Sequence, residues 1–586
     1  MIRRSAPLSR PCHPCGLDLR PTRGPVVELE GHVKSALDTG RTRLVAAGFA
    51  FALAFFLLAW RLVDLGLGGP AAEPSFAGTS GQPVADGTLA TGRADIVDRN
   101  GIVLATTLPV ASLYADAREI SDPKGAAEAL ASVLPGVNAG ELAQKFASER
   151  SFVWVQRQLT PRQQYDVNRL GIPGLYFQRE MARVYPQGQL TSQLVGFTNV
   201  DNRGLAGVEQ QFDEKLRTST QPLQLSVDLR LQDIVAQELQ KTIDTFSAIG
   251  GASIVMDLQT GELLAAVSLP TYDPREPGKA TEDQRFNRAT LGVYEMGSTF
   301  KVFTVAMALQ EKVVTLASGY DASRPIKIAG YTISDYKGKN RWLSVPEIII
   351  YSSNIGAAQM GRDVGTERQQ AYMKAFGLTS PAAIELPEVG HPMVPKPWRD
   401  INTLTVSFGH GIAVSPLQLA TGIAATVNGG ILRPATLLKN ENGTAGTRVL
   451  SEETSAAVRW LLRLNVLQGS GKKAEVAGYL VGGKTGTADK LVNGRYATNK
   501  RIASFVGAFP MDDPRYLVLA VIDEPKGTSE TQGYATGSWV GAPTVGHIVE
   551  RIGPLLGVAP RAPEVVEETD TALIPVSLGG RPIASR

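Results

Sequence analysis

Cysteine is nearly missing from this chain. Cys12 and Cys15 are the only two, so no disulfide can brace anything beyond the N-terminal tail. A Cys-x-x-Cys pair enclosing His13 is half a metal site, and no second ligand pair follows. The segment reads as a flexible tail in a reducing compartment, and no metal or cofactor is called for. Charge of one sign is missing too: 59 basic and 56 acidic residues leave +3, which offers no case for nucleic acid. Histidine is scarce and no Gly-x-Ser-x-Gly elbow is present, which leaves little for a histidine-activated serine. Of the five histidines, only His410 has a glycine-rich setting, Phe408-Gly409-His410-Gly411-Ile412, where it reads as shaping a loop near a cleft. Glycine (60) and proline (36) are plentiful, which favours loops over a coiled coil.

Long runs of predominantly apolar residues are absent as well, with one exception. Leu44 to Trp60 is seventeen residues without a charge, and Leu62, Val63 and Leu65 extend it past Arg61. Such a helix spans about 25 Å, close to a hydrocarbon core. Eight basic residues against four acidic ones precede it, so the positive-inside rule places the N-terminus in the cytoplasm and everything beyond about residue 66 outside. A cleaved signal peptide rarely has so long a leader, and a core helix rarely runs this far without a polar position.

At 586 residues the chain predicts two or three domains. The order expected is a cytoplasmic tail (1–43), a transmembrane helix (44–66), a flexible linker (67–90), a first folded domain (91–222), a second (223–556) and a disordered tail (557–586). In the first domain, Asn100-Gly101 signals a hairpin and 124–148 and 159–170 read as helical. No catalytic cluster appears there, so it reads as an α+β spacing or docking module. The second opens at Leu223, followed by an amphipathic helix from Arg230 to Phe246. Strands are expected around Gln259-Thr260-Gly261 and again near 479–487, 503–509 and 516–523, with turns at Asn493-Gly494 and Asp512-Asp513-Pro514. Short turns imply antiparallel pairing, giving an α/β domain with one antiparallel sheet built from both ends and a helical block between.

Three short motifs fall in that second domain: Ser298-Thr299-Phe300-Lys301, Ser352-Ser353-Asn354 and Lys484-Thr485-Gly486-Thr487. Singly each has a plain use, as a helix cap, a helix-surface amide or a turn. In this order they match the three-part signature of penicillin-interacting serine enzymes, whose chemistry is acyl transfer through a serine ester. Ser298 opens an apolar helix, and Lys301 lies one turn along, able to act as its base if uncharged. Burial and repulsion from Lys484 would both lower its pKa. Ser352 suits a proton relay, and the Asn354 amide suits both the lysine and a substrate peptide. Thr485 and Thr487 with Lys484 suit a substrate carboxylate, Gly486 lets a substrate backbone approach, and the N–H groups of Ser298 and Thr487 would form an oxyanion hole.

The resemblance reaches further. Arg93…Asp98-Arg99-Asn100-Gly101, Arg183…Tyr185-Pro186 and Gly204…Gly207…Glu209 resemble the pedestal motifs of class B penicillin-binding proteins. Tyr294-Glu295-Met296-Gly297-Ser298-Thr299-Phe300-Lys301 and Gly409-His410-Gly411-Ile412…Pro416-Leu417-Gln418 resemble their transpeptidase core, with Met296 where many relatives carry proline. The chain is most similar to the division-specific FtsI type. The resemblance implies a peptidoglycan D,D-transpeptidase in which Ser298 attacks the penultimate D-alanine of a stem peptide and an amine from a neighbouring stem resolves the ester. It implies acylation by β-lactams, septal wall synthesis at the bacterial inner membrane with a periplasmic catalytic domain, and FtsW, a membrane glycosyltransferase, among its divisome partners. Residues 91–222 are too few for a polymerase domain. An elongation-type transpeptidase is the alternative within the family. A β-lactamase or carboxypeptidase would usually lack the span and pedestal, a β-lactam sensor would need a cytoplasmic signalling domain, and an inert scaffold should have lost part of the triad.

Overall fold

The computed structural model describes residues 48–60, 92–148, 150–492 and 495–561. The chain divides into two units, 1–87 and 88–586. In the first, residues 48–60 are helical and lie inside the expected span. Among the described residues no helix is long and apolar enough to cross a membrane. The cysteine tail, the rest of the span, the expected linker and residues 562–586 lie outside the described residues.

The second unit begins with the hairpin expected at Asn100-Gly101. Ile96–Val97 (β1) pairs antiparallel with Val103–Ala115 (β2), and the Asp98 carboxylate closes the turn by accepting from the N–H groups of Asn100 and Ile102, both at 2.8 Å. β2 also pairs with Val153–Leu159 (β3) and Leu175–Val184 (β4). The helical stretch expected over 124–148 is two helices, Pro123–Val133 and Ala139–Phe146, because Pro135 cannot continue a helix and Gly136 turns left-handed at φ +94°. The helix Pro161–Leu170 is framed by a reciprocal Thr160–Gln163 cap and by Gly171 in the left-handed region.

The pedestal is tied together by an ion cluster drawn from distant parts of the chain. Glu209, with no exposed surface, accepts from Arg93 Nε at 2.5 Å and Arg183 Nε at 2.6 Å, and Arg93 also meets Asp213 at 2.6 Å. The motif residues of three separate segments therefore form one buried network. It connects to the catalytic domain through Gly207, whose N–H donates to Glu388 at 3.0 Å.

At the expected boundary, Leu223, the chain is still paired with the first sheet. Leu223–Gln224 (β5) pairs parallel with β1, so it completes the pedestal sheet before the chain crosses over through Ser226, whose N–H donates to Leu437 O. Leu225, buried completely, sits between the two domains' backbones and makes that continuation apolar.

The second domain is built on one five-stranded antiparallel sheet. Gly250–Asp257 (β6) and Leu263–Leu269 (β7) form the expected hairpin, and Gly482–Val492 (β8), Arg495–Phe509 (β9) and Tyr516–Asp523 (β10) return from the far end, in the order β8-β9-β10-β6-β7. The expected Asn493-Gly494 turn lies outside the described residues. Every residue of β10 is buried, because both faces of the sheet are covered. Val518, Ala520 and Ile522 face helices Leu229–Thr245 (α1) and Gly541–Ile552, whereas Leu517, Leu519 and Val521 face the helical block. That alternation assigns each apolar residue to one of two cores. Chain packing continues past the expected end at 556, with Val558 buried.

Removing the shared carboxylate should strand two buried guanidinium groups. Glu209→Ala is expected to destabilise the protein by about 3–5 kcal/mol, read as a lowered midpoint in thermal unfolding. An unchanged midpoint would show that the cluster contributes nothing.

Candidate active site

Ser298 does not open an α-helix directly. Gly297–Phe300 form a turn of 3₁₀-helix, and the α-helix proper (α2) runs from Lys301 to Gln310. The tight turn follows from Gly297 at φ +53°, where a Cβ would stand 2.6 Å from Thr487 O and 3.4 Å from Thr487 N. The Gly297–Ser298 turn is thus pressed against β8, with the Thr487 backbone beside Ser298. Gly486 seals the same contact: a Cβ there would lie 2.5 Å from Met296 O.

Ser298, Lys301, Ser352, Asn354 and Lys484 converge as the motifs predicted. Lys301 Nζ lies 2.7 Å from Ser298 Oγ, 2.9 Å from Ser352 O, 3.2 Å from Ser352 Oγ and 2.7 Å from Asn354 Oδ1. Two of these partners, the Ser352 carbonyl and Asn354 Oδ1, can only accept. In the uncharged form of the amine they would take its two hydrogens and leave its lone pair for the Ser298 hydroxyl. Lys301 is 1% exposed, and burial, reinforced by the positive charge of Lys484, holds its pKa well below the usual lysine value, with Asp335 opposing weakly.

Ser352 owes its double contact to an uncommon backbone. It sits at φ +57°, a left-handed conformation that costs a non-glycine residue energy and turns its carbonyl onto Lys301. Its hydroxyl accepts from Lys484 Nζ at 3.0 Å, so Ser352 bridges the two lysines. Lys484 is completely buried, and desolvation brings its pKa down to about 7. It also reaches the carbonyl and hydroxyl of Thr485, at 3.2 and 3.3 Å.

The Thr485 hydroxyl pairs with Ser470 Oγ at 2.7 Å, and Thr487 Oγ1 accepts from Gly537 N–H at 3.0 Å. The Thr487 hydroxyl proton is therefore available to a carboxylate. One Asn354 N–H is committed to Ser334 O at 3.0 Å, leaving one for a substrate.

Two carboxylates have contacts that no local pattern states. Asp335 accepts from Ser353 Oγ at 2.7 Å, Asn354 N at 2.6 Å and Ile355 N at 3.0 Å, and so docks the start of helix Asn354–Val364 (α3). Glu295 accepts from Tyr496 OH and Gly411 N, each at 2.9 Å, with His410 Nδ1 3.2 Å away. His410 stacks on Tyr496 with centroids 4.5 Å apart, which places it in a loop-shaping role as expected. A carboxylate that binds only across the fold is visible once the loops are in place.

Comparison with known proteins agrees with this geometry. Residues 251–548 match the penicillin-binding protein transpeptidase domain, and residues 88–245 the penicillin-binding protein dimerisation domain. The chain is 43% identical over 482 residues to a Caulobacter vibrioides protein described as a probable peptidoglycan D,D-transpeptidase FtsI, covering 80% of this chain and 82% of that one. It is 32% identical over 510 residues to Escherichia coli peptidoglycan D,D-transpeptidase FtsI, covering 81% and 85%. Its fold is similar to that of penicillin-binding protein 3 from Mycobacterium tuberculosis, solved with aztreonam, at TM-score 0.64 and 23% identity over 81% of this chain and 98% of that one.

Two expectations follow from the lysine and from its support. Acylation of Ser298 by a fluorescent penicillin should rise with pH as Lys301 loses its proton and level off well before the ordinary lysine range near about 10.4; a rate still climbing through that range would place the proton elsewhere. Asp335→Asn should slow acylation by about tenfold or more through misplacement of the Ser352–Asn354 turn, with a near-normal thermal midpoint. A wild-type acylation rate would show that the carboxylate is dispensable.

Proposed function

Since this chain belongs to the penicillin-binding protein transpeptidases of the FtsI type, we propose that Ser298 is the nucleophile that acts on its substrate and Lys301 the base that activates it. The protein is a peptidoglycan D,D-transpeptidase that crosslinks stem peptides through a serine acyl-enzyme during septal wall synthesis. The observation that carries the residue assignment is the arrangement of acceptors around Lys301 Nζ, which orients the amine lone pair at Ser298 Oγ.

In the forward half-reaction Ser298 Oγ attacks the carbonyl of the penultimate D-alanine, and its proton passes to Lys301. The N–H groups of Ser298 and Thr487 receive the developing oxyanion, where one such donor is typically worth about 2.7–4 kcal/mol. The terminal D-alanine carboxylate is met by the Thr485 and Thr487 hydroxyls and by Lys484, whose pKa of about 7 rises toward the charged form as the carboxylate arrives. Ser352, in contact with both lysines, passes a proton to the departing amine. The ester is then attacked by an amine of a neighbouring stem, with Lys301 taking the amine's proton. β-Lactams enter by the same first step and remain as the ester.

The run Leu44–Trp60 supports a single membrane anchor, and the basic excess before it supports a cytoplasmic N-terminus with the catalytic domain outside the inner membrane. FtsW and other divisome proteins fit as partners through the anchor and pedestal, as the family resemblance implies.

Ser298→Ala is expected to abolish covalent labelling by fluorescent penicillin; retained labelling would reassign the nucleophile. Lys301→Ala should fold and acylate about 10²–10⁴-fold more slowly, and a near-normal rate would mean another base. Depletion in the native cell should give filaments, whereas rounded cells would indicate a role in elongation.

A further inference from the structure

One row of rings and ammonium groups beside the cleft has no part in the acyl chemistry. Lys473 Nζ lies 4.2 Å from the centre of the Trp539 ring, Trp539 stacks on Tyr534 with centroids 6.5 Å apart and planes 8° apart, and Lys337 Nζ stands 5.0 Å over Tyr534. Lys339 Nζ lies 4.6 Å over Tyr351 on the same loop as Lys337. These contacts join three segments remote in sequence, around residues 337, 473 and 534.

The charges on this surface are unbalanced. All three lysines are exposed. Among the described residues none of them forms an ion pair, and each is held instead over an aromatic face. Of the carboxylates nearest in sequence, Glu347 pairs with Arg341 and Glu475 with Arg463, Asp335 is turned onto the neutral donors at the start of α3, and Glu530, exposed on the Tyr534 segment, pairs with none of the three lysines. A cation held over a ring keeps its charge and gives up part of its freedom in advance. A set of such cations without counter-charges on the protein is complementary to an anion that arrives from outside.

The position of the row narrows the choice of anion. Gly537, between Tyr534 and Trp539, donates to the hydroxyl of Thr487. Tyr351 directly precedes Ser352, and Lys473 follows Ser470, the partner of Thr485. The row therefore edges the cleft where the substrate carboxylate would be gripped. On the transpeptidase reading a dipeptide terminus would occupy the site, and what extends over its edge would be the remainder of the same polymer, whose peptide carboxylates pair with ammonium groups and whose sugar rings can pack against the exposed edges of the aromatic rings.

We propose that the Lys473–Trp539–Tyr534–Lys337 row, with the adjoining Lys339–Tyr351 pair, is a binding surface for carboxylate-bearing glycopeptide polymer outside the reacting stem. The proposal rests on the transpeptidase reading for the identity of the polymer. The surface would hold the strand near the cleft between turnovers, through contacts individually weak and sensitive to salt.

The test uses the full chain as Ser298→Ala, so that no ester forms, and enzymatically solubilised peptidoglycan as the probe. The triple variant Lys337→Ala, Lys339→Ala, Lys473→Ala is expected to bind this polymer about tenfold more weakly, since three exposed charge contacts of about twofold each multiply. The corresponding triple arginine variant should restore binding, and polymer with its carboxylates amidated should bind the unsubstituted surface as poorly as native polymer binds the triple alanine variant. In a Ser298 background, the triple alanine variant should keep the parent's penicillin acylation rate, and a slower rate would overturn the separation of this surface from the acyl site; absence of acylation in the parent itself would instead defeat the transpeptidase reading, which separates the two claims. Equal binding by the triple alanine variant, equal binding of amidated polymer, or loss confined to anionic lipid vesicles or to an acidic protein would overturn the proposal.

Discussion

The proposed chemistry depends on a lysine amine whose pKa is pulled down by removal from water. A protonated Lys301 would have no lone pair, and Ser298 would keep its proton. Burial supplies most of the effect, since Lys301 is 1% exposed in a helix whose neighbours are apolar. Lys484 adds a second reason by placing another cation nearby. Two carbonyl-type acceptors then fix which way the amine faces. The cost of burying two lysines is met by the surrounding hydrogen bonds and by the large two-sided core, in keeping with function taking precedence over stability at such sites.

Each part of the fold that matters for catalysis can be traced to that amine. α2 carries it, preceded by a 3₁₀ turn that brings Ser298 within 2.7 Å. Ser352 meets it through a left-handed backbone, and Asp335 anchors the turn on which Ser352 sits. β8 brings Lys484 from the far end of the chain, held in register by its pairing with β9. Gly297 and Gly486 let these two pieces touch, since a Cβ at either would collide with backbone across the gap. The pedestal has its own buried ion cluster and touches the catalytic domain through β5 and Gly207.

Much of this was legible in the chain. The three motifs name five polar residues that meet in space, because each is set by local chemistry: a helix turn, a tight turn before a helix, and an edge strand. The antiparallel sheet was legible from alternating runs and short turns, and β10 from its unbroken apolar pattern. The support was not legible. Asp335 and Glu295 act through partners 18 to 201 positions away, and no periodicity records such a contact. The partnership of the segment at Leu223 was not legible either: Leu223 pairs with β1 and Leu225 bridges to Leu438, and both leucines lie in one core shared by the two domains. The break at Pro135-Gly136 was local and available, and the apolar spacing on either side masked it.

The most direct test of the central claim is a titration of the Lys301 side chain itself, by nitrogen-detected NMR on lysine-labelled protein with Lys301→Arg used for assignment. The account predicts a neutral-amine signal for Lys301 at neutral pH, in the free enzyme and before any substrate is added. An ammonium signal that persists to the ordinary lysine range of about 10.4 would contradict it, and with it the role given to Ser298.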